Sequence, residues 1–266
     1  MKKILLTLLF FSNLFSQANR LLMLSPSAHT SSIGNVMLPM MSPARNHLDS
    51  DRFTFSRVNW LGNIVGDMNY MHVNLAKGSF DFSTLIFNYG EQLETDITGV
   101  VTGKFSPMSS VWGVSWGGVI KGYNLGVTAK VIQHDLYVQK TFGTVFDIAT
   151  YLPKVYKDLD VDLALRNFGV APTFGTFKTK LPTSINVALT YPYKQWMFYE
   201  QHNIMKNNIT SGFGVSYKYE VKDQGTIFGK AGYFVDEMHN LTYPTFGLDL
   251  KYDRYFIGMS YIYGDE

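Results

Sequence analysis

The segment Asp158–Tyr191 reads DLDVDLALRNFGVAPTFGTFKTKLPTSINVALTY, and it contains two runs in which apolar residues alternate with polar or small ones. In the first run the apolar positions are Leu159, Val161, Leu163 and Leu165, and the others are Asp160, Asp162, Ala164 and Arg166. In the second run the apolar positions are Ile185, Val187, Leu189 and Tyr191, and the others are Asn186, Ala188 and Thr190. Because a β-strand sends successive side chains to opposite faces, each run predicts a strand with one apolar face.

Runs of this kind recur along most of the chain with short connections between them. We assign them to Phe53–Trp60, Asp67–Leu75, Gly78–Asn88, Asp96–Ser106, Ser109–Ile120, Tyr123–Asp135, Thr141–Leu152, Asp158–Phe168, Ser184–Tyr191, Gln195–Ile204, Thr210–Glu220, Gly225–Phe234, Pro244–Tyr252 and Tyr255–Tyr263. That makes about 14 strands (12–14), each near the 9–11 residues that a tilted strand needs to cross a bilayer. Alternation alone also fits a half-buried strand of a soluble sheet.

The N-terminus has the features of an export signal. Lys2 and Lys3 precede a mostly apolar run, Ile4–Phe15, and the small residue Ser16 follows it. A retained membrane anchor would need roughly 20 apolar residues, which is more than this run provides. We therefore predict a signal peptide at residues 1–16.

Composition supports an exported β-protein. The 266 residues carry a net charge of +2 with 17% charged residues, so no basic surface for nucleic acid is expected. Aromatic residues make up 15%, as expected where rings form girdles at both membrane interfaces, and there is no Cys. We predict an all-β protein: an antiparallel transmembrane β-barrel in the bacterial outer membrane, spanning residues 53–266 and contacting outer-membrane lipid. Residues 17–52 are expected to form short irregular or helical pieces at the barrel mouth or inside it, or else a partly disordered leader.

No catalytic, metal or cofactor site is predicted. The six histidines are scattered without metal-ligand spacing, and no sequence feature places a Ser beside a His. Asp160 and Asp162 are interpreted as an inward, hydrated face paired with Arg166 or a neighbouring Lys. Further inward charges are expected to form a network: Lys130, Lys218, Lys230 and Lys251 with Asp147, Asp162 and Asp249. We expect a protein that is not an enzyme.

Several short motifs resemble one family. They are Ile33-Gly34 within Ser31–Val36, Phe55–Leu61, Leu125–Lys130, Asp147, Arg166–Gly169 with Leu181-Pro182, and Gly229–Tyr233. They are similar to segments of the PorV/PorQ family of FadL-like outer-membrane β-barrels, some of which are associated with type IX secretion. Pro43-Ala44-Arg45 departs from that family's usual Asn-Pro-Ala-Gly.

The resemblance implies a non-enzymatic role in type IX protein secretion or cargo handling, with secretion components or cargo proteins as partners. The wider FadL-like fold implies an alternative, passive transport of hydrophobic small molecules. A lipid-acting barrel enzyme is a third class, without predicted catalytic residues. The candidate partner loop is Val170–Lys180, in which Phe174 and Phe177 are expected to be exposed rings beside Lys178 and Lys180. A loop folded into the barrel mouth is the alternative for this segment.

Overall fold

The alternating runs form strands in a computed structural model that describes residues 19–48, 51–59, 67–137, 139–221, 225–253 and 255–263. The predicted signal peptide, residues 1–16, lies outside these ranges. The strands are β1 (Arg52–Asn59), β2 (Asn69–Lys77), β3 (Phe80–Asn88), β4 (Gln92–Thr95), β5 (Val101–Phe105), β6 (Met108–Ile120), β7 (Tyr123–Asp135), β8 (Lys140–Tyr156), β9 (Leu159–Val170), β10 (Thr173–Phe174), β11 (Phe177–Lys178), β12 (Ser184–Tyr193), β13 (Trp196–Met205), β14 (Asn208–Val221), β15 (Gly225–Asp236), β16 (Leu241–Tyr252) and β17 (Tyr255–Ile262).

Thirteen of these strands form one antiparallel sheet in the order β1-β2-β3-β6-β7-β8-β9-β12-β13-β14-β15-β16-β17. The remaining strands form two small ribbons, β4–β5 and β10–β11, in the connections after β3 and β9. The prediction of a large, antiparallel, all-β fold is confirmed. Among the described residues, no ladder joins the edge strands β1 and β17, and no helix is long and apolar enough to cross a membrane.

The prediction that Asp96–Ser106 forms one strand of the main sheet is wrong. The Asp96 carboxylate accepts hydrogen bonds from the backbone N–H groups of Thr98 (2.8 Å) and Val100 (3.0 Å). Gly99, with φ +89°, allows the chain to reverse there. The segment therefore turns back and pairs with β4, because local side-chain bonding to the backbone competes with the long ladder.

The sheet has two chemically different faces, as the alternation predicts. On β9, Leu163 is 36% exposed, whereas Ala164 is 6% exposed and lies in a buried cluster with Leu38 and Ala44. We call the Leu163 side the outer face and the Ala164 side the inner face. The outer face carries most of the exposed rings and aliphatic side chains of β12–β16, such as Phe198, Phe213, Phe246 and Leu248.

The inner face is covered by residues 19–48, which we call the N-terminal segment. It consists of 3-10 helices at Asn19–Met23 and Pro43–Leu48 and one-turn α-helices at Ala28–Ser31 and Leu38–Met41. The short helical pieces predicted for this region are present. Because helices of one turn are marginal alone, their stability must come from packing on the sheet.

The N-terminal segment requires the sheet to curl. Tyr70 of β2 donates a hydrogen bond to the Ser25 carbonyl (2.7 Å), and the Gly34 N–H donates to Thr245 of β16 (3.0 Å). In the sheet order β2 and β16 are ten steps apart, about 48 Å in a flat sheet. Nine residues of chain reach at most about 32 Å. The inner face must therefore be concave and bend around the segment.

Candidate functional site

The N-terminal segment contacts the inner face at positions where the sheet has no side chains. A Cβ atom at Gly232 would overlap the backbone of Ile33 and Gly34, and one at Gly126 would overlap the backbone at Pro43. Ile33 is 0% exposed at this contact. Glycine is needed at both strand positions because the segment's backbone lies directly on the strand backbone.

A buried amide on β13 caps one of the segment's helices. The Gln201 side-chain carbonyl accepts the N–H groups of Met37 (2.9 Å) and Leu38 (2.7 Å), at the start of the helix Leu38–Met41. Gln201 is 0% exposed, and its amide nitrogen donates to Asn203 at 2.6 Å. The orphan donors of a helix N-terminus are thus satisfied by the sheet.

An ion pair fixes the segment's last turn to β9. The Arg45 guanidinium donates two hydrogen bonds to the Asp162 carboxylate, at 3.0 Å and 2.5 Å, and lies 3.8 Å from the centroid of the Tyr151 ring. The Asp162 side chain is fully buried. We call this bidentate contact the Arg45–Asp162 pair. Because the contact is bidentate, it fixes the relative orientation of the two side chains in addition to attracting them electrostatically.

A second ionic contact fixes the segment to β15 and β16. The Lys230 ammonium contacts both the Asp249 carboxylate and His29 Nδ1, and both the Lys230 and Asp249 side chains are fully buried. His29 Nδ1 also lies 2.7 Å from the Asp249 carboxylate, so the ammonium and the carboxylate both contact this ring nitrogen. Burial, followed by the positive charges of Lys230 and Arg52, lowers the pKa of His29 from 6.5 to about 3.

A third inner-face cluster joins β7, β8 and β9. Lys130 lies 2.5 Å from the Asp147 carboxylate, which also accepts the Asn167 N–H at 2.8 Å. Arg166 lies 3.6 Å from Asp147 as well. The predicted network is therefore confirmed for Lys130 with Asp147 and for Lys230 with Asp249.

Other predicted inner-face pairings are wrong. Asp162 bonds to Arg45 rather than to Arg166, and Asp160 accepts the Tyr151 hydroxyl at 2.8 Å. Lys218 contacts Glu220, and both side chains are largely exposed. The contacts of Gln201, Asp162 and Lys230 hold the N-terminal segment on the concave sheet.

The candidate partner loop is partly folded inward. Phe174 is 5% exposed and its ring centroid lies 5.7 Å from that of His134, so its predicted exposure is wrong. Phe177 is 57% exposed, and Lys178 and Lys180 are also exposed. Asn19 donates a hydrogen bond to the Lys180 carbonyl, which ties this loop to the N-terminal segment. The exposed part of the candidate loop therefore includes Phe177, Lys178 and Lys180.

The outer face carries a polar trio that the sequence analysis did not find. The Ser211 hydroxyl is 2.9 Å from His202 Nδ1, and His202 Nε2 is 2.8 Å from Glu200 Oε1. No sequence feature had placed a Ser beside a His, and the strand register supplies this contact. His202 and Ser211 are directly opposite one another in the β13–β14 ladder, and Glu200 is two residues before His202 on the same face.

The trio's two hydrogen bonds fit a single neutral imidazole. Nε2–H donates to the Glu200 carboxylate, and Nδ1 accepts the Ser211 proton. The His202 and Glu200 side chains are 37% and 39% exposed, so the trio is accessible. A hydroxyl bonded to a base, with that base oriented by a carboxylate, is the arrangement used for nucleophilic catalysis.

Comparisons with known proteins add no assignment. No protein-family model matches this chain, and no curated protein sequence matches it. Within the described ranges, no group of three His, Asp or Glu side chains is placed to hold a metal ion.

Proposed function

We propose that the protein is an outer-membrane β-barrel whose interior is filled by its own N-terminal segment. The observation that carries this proposal is the opposite chemistry of the two faces. Rings and aliphatic side chains predominate on the outer face, whereas buried charges and amides are concentrated on the inner face. That alternation is the pattern of a barrel with lipid outside.

Closure of the sheet is part of the proposal, and the surroundings of His29 support it. The charge of Arg52, on β1, lowers the pKa of His29, and the ring of Phe256, on β17, lies 5.8 Å from the His29 ring. The two edge strands therefore lie near the same side chain. In a bilayer an unpaired edge would leave backbone groups unsatisfied, which favours closure. With thirteen antiparallel neighbours, β1 and β17 run in the same direction, so the closing contact is parallel.

We further propose that the protein takes part in secretion or cargo handling at the outer membrane, as its resemblance to the PorV/PorQ family implies. The anchored N-terminal segment supports a binding role. A passive route for hydrophobic molecules would require breaking the Arg45–Asp162 pair and the contacts at Gly126 and Gly232. Binding is then left to the loops, with Phe177 and Lys178 as the exposed contact.

The test compares a gene deletion, a wild-type complement and a complement with Phe177→Ser and Lys178→Ser. We expect deletion to impair cargo export and to leave growth on long-chain fatty acids unchanged. The double variant should assemble normally, as judged by carbonate extraction and heat-modifiable migration, and should export less cargo. As a matched control, Lys104→Ser changes an exposed residue of the β4–β5 ribbon and should export normally. Loss of fatty-acid uptake with normal export would favour the transport role instead.

A further inference from the structure

We propose that Ser211, His202 and Glu200 form a hydrolytic site for acyl esters on the outer face of the sheet, with a membrane phospholipid as substrate. The choice of a membrane lipid as substrate rests on the proposed function, which places the protein in a membrane. The choice of a hydrolytic reaction rests on the geometry of the three side chains. Ser211 is the nucleophile, His202 is the general base, and Glu200 orients the imidazole.

The trio stands out from its surroundings. At the outward positions of β12, β13, β14 and β15 the other residues are aliphatic, aromatic or Gly, as with Val187, Phe198 and Phe213. The three exceptions contact one another. An ionisable group on a lipid-facing surface is unfavourable, so its presence indicates a function.

The depth of the trio suits an ester group. His202 and Ser211 are each three residues from the ends of their strands at the β13–β14 turn, or about 10 Å along the strand. If the apolar band of the proposed barrel ends near the β13–β14 turn, the trio lies inside the band and near one of its edges. The ester linkages of a phospholipid lie at that level, between the headgroups and the acyl chains.

An apolar groove begins beside the trio and continues away from this edge. It has a volume of about 530 Å³, and its lining includes Glu200, Phe198, Phe213, Val215 and Tyr233. The Phe213 ring meets the His202 ring edge-on, with centroids 5.9 Å apart, so the trio and the groove are contiguous. The groove is open along the outer face and its lining is mostly apolar, so an acyl chain could lie along it. An acyl chain lying in the groove would point towards the bilayer centre with its ester beside Ser211.

The reaction is an acyl transfer to water. Ser211 Oγ attacks the ester carbonyl carbon as its proton passes to His202 Nδ1. The C–O bond to the glycerol then breaks, and the leaving oxygen takes the proton from His202. A water molecule, deprotonated by His202, attacks the acyl-serine and releases the fatty acid and free Ser211. No oxidant or metal is required.

We expect slow turnover. Ser211 lies within both the β13–β14 and β14–β15 ladders, so the strand amides around it are largely committed to backbone pairing. A dedicated oxyanion donor is worth roughly 10²–10³-fold in rate. Covalent labelling, which needs a single nucleophilic attack, is therefore the sharpest measurement.

The experiment treats the full chain, folded in detergent, with a fluorophosphonate probe. Attack by Ser211 forms an O–P bond, expels fluoride and transfers the proton to His202. Peptide mapping by mass spectrometry should find the label on Ser211. Ser211→Ala should abolish that label, and His202→Gln should slow labelling by at least about 100-fold. Glu200→Gln should label at a rate between those of His202→Gln and the parent.

Ser109→Ala is the matched control, because Ser109 also bonds to a histidine, His134 at 2.7 Å, but on the buried inner face. Its labelling should equal that of the parent. Failure to label Ser211 in protein that shows heat-modifiable folding would overturn the proposal, as would labelling that does not depend on His202.

A second measurement places the parent and Ser211→Ala in vesicles of phosphatidylethanolamine and phosphatidylglycerol. Fatty acid and lysophospholipid should accumulate only with the parent. Labelling of Ser211 without lipid hydrolysis would overturn the assigned substrate. Labelling in a protein that carbonate extracts from membranes would contradict the proposed function while supporting the nucleophile.

Discussion

The Arg45–Asp162 pair on the inner face and the trio Glu200, His202 and Ser211 on the outer face are both charged clusters with good hydrogen-bond geometry. Their surroundings differ. Asp162 is fully buried and contacts a segment that the sheet encloses, whereas the His202 and Glu200 side chains are more than a third exposed. On the inner face, buried polar side chains form the hydrogen bonds that other buried polar groups would otherwise form with water. On the outer face, the polar side chains stand among aliphatic and aromatic side chains.

This difference separates structural from functional polar residues. Removing one partner from a buried pair leaves an uncompensated charge, so single substitutions in the inner pair are expected to destabilise the fold. If the outer face contacts lipid, as proposed, apolar substitutes would suit the surroundings of the outer trio. The proposed hydrolytic role would then account for its three polar residues.

The largest expected effect comes from breaking the inner pair. Asp162→Asn removes the charge that compensates Arg45 and should lower the free energy of unfolding by about 3–5 kcal/mol. Urea titration of the detergent-folded protein, followed by tryptophan fluorescence, measures this. Glu91→Gln is the control, since the Lys104–Glu91 pair is mostly exposed and should contribute less than about 1 kcal/mol. Equal effects of the two substitutions would contradict the difference between buried and exposed pairs.

The second prediction concerns the pH dependence of the inner face. His29 has a pKa of about 3 in the folded protein and 6.5 when unfolded. Its contribution to stability is therefore complete above pH 6.5 and is lost progressively as the pH falls towards 3, because only the unfolded chain binds the proton. Between pH 6.5 and pH 5 the loss is at most about 2 kcal/mol.

Replacing His29 by Gln tests this assignment. Gln keeps an acceptor for Lys230 but cannot bind a proton. As the pH is lowered, the urea midpoint of the His29→Gln variant should therefore fall less steeply than that of the parent protein. The comparison is made at pH 7, 6 and 5 in the same detergent. An unchanged slope would mean that folding does not lower the pKa of His29.

Local alternation predicted the strands well, and the failures have physical causes. The run Asp96–Ser106 has the composition of a strand, but the Asp96 carboxylate and Gly99 favour a turn. The Arg45–Asp162 pair joins residues 117 positions apart. Its existence depends on the curl of the whole sheet, which a single sequence does not encode in a recognisable pattern.

The trio could have been found from the sequence. A two-residue turn at 206–207 sets Met205 opposite Asn208, and the register then places His202 opposite Ser211. Ending the predicted strands at Ile204 and Thr210 left five residues between them and removed that constraint. The polar residues Glu200 and His202 at outward positions of an otherwise apolar run were the visible signal.

The smallest expected effect is the one that most directly tests the comparison. Replacing Glu200 by Leu and His202 by Val restores an apolar outer face, so stability should rise by about 1 kcal/mol while fluorophosphonate labelling of Ser211 is lost. The control is Ser216→Val on the inner face, where Ser216 lies 3.4 Å from the buried Tyr199 hydroxyl. That change should lower stability by about 1 kcal/mol, because it removes a hydrogen-bond partner from a buried group. Opposite signs for two similar polar-to-apolar changes, measured in one urea titration series, would identify which face contacts lipid. If both changes destabilise the protein, the trio contributes to the fold and the functional interpretation of the outer face is wrong.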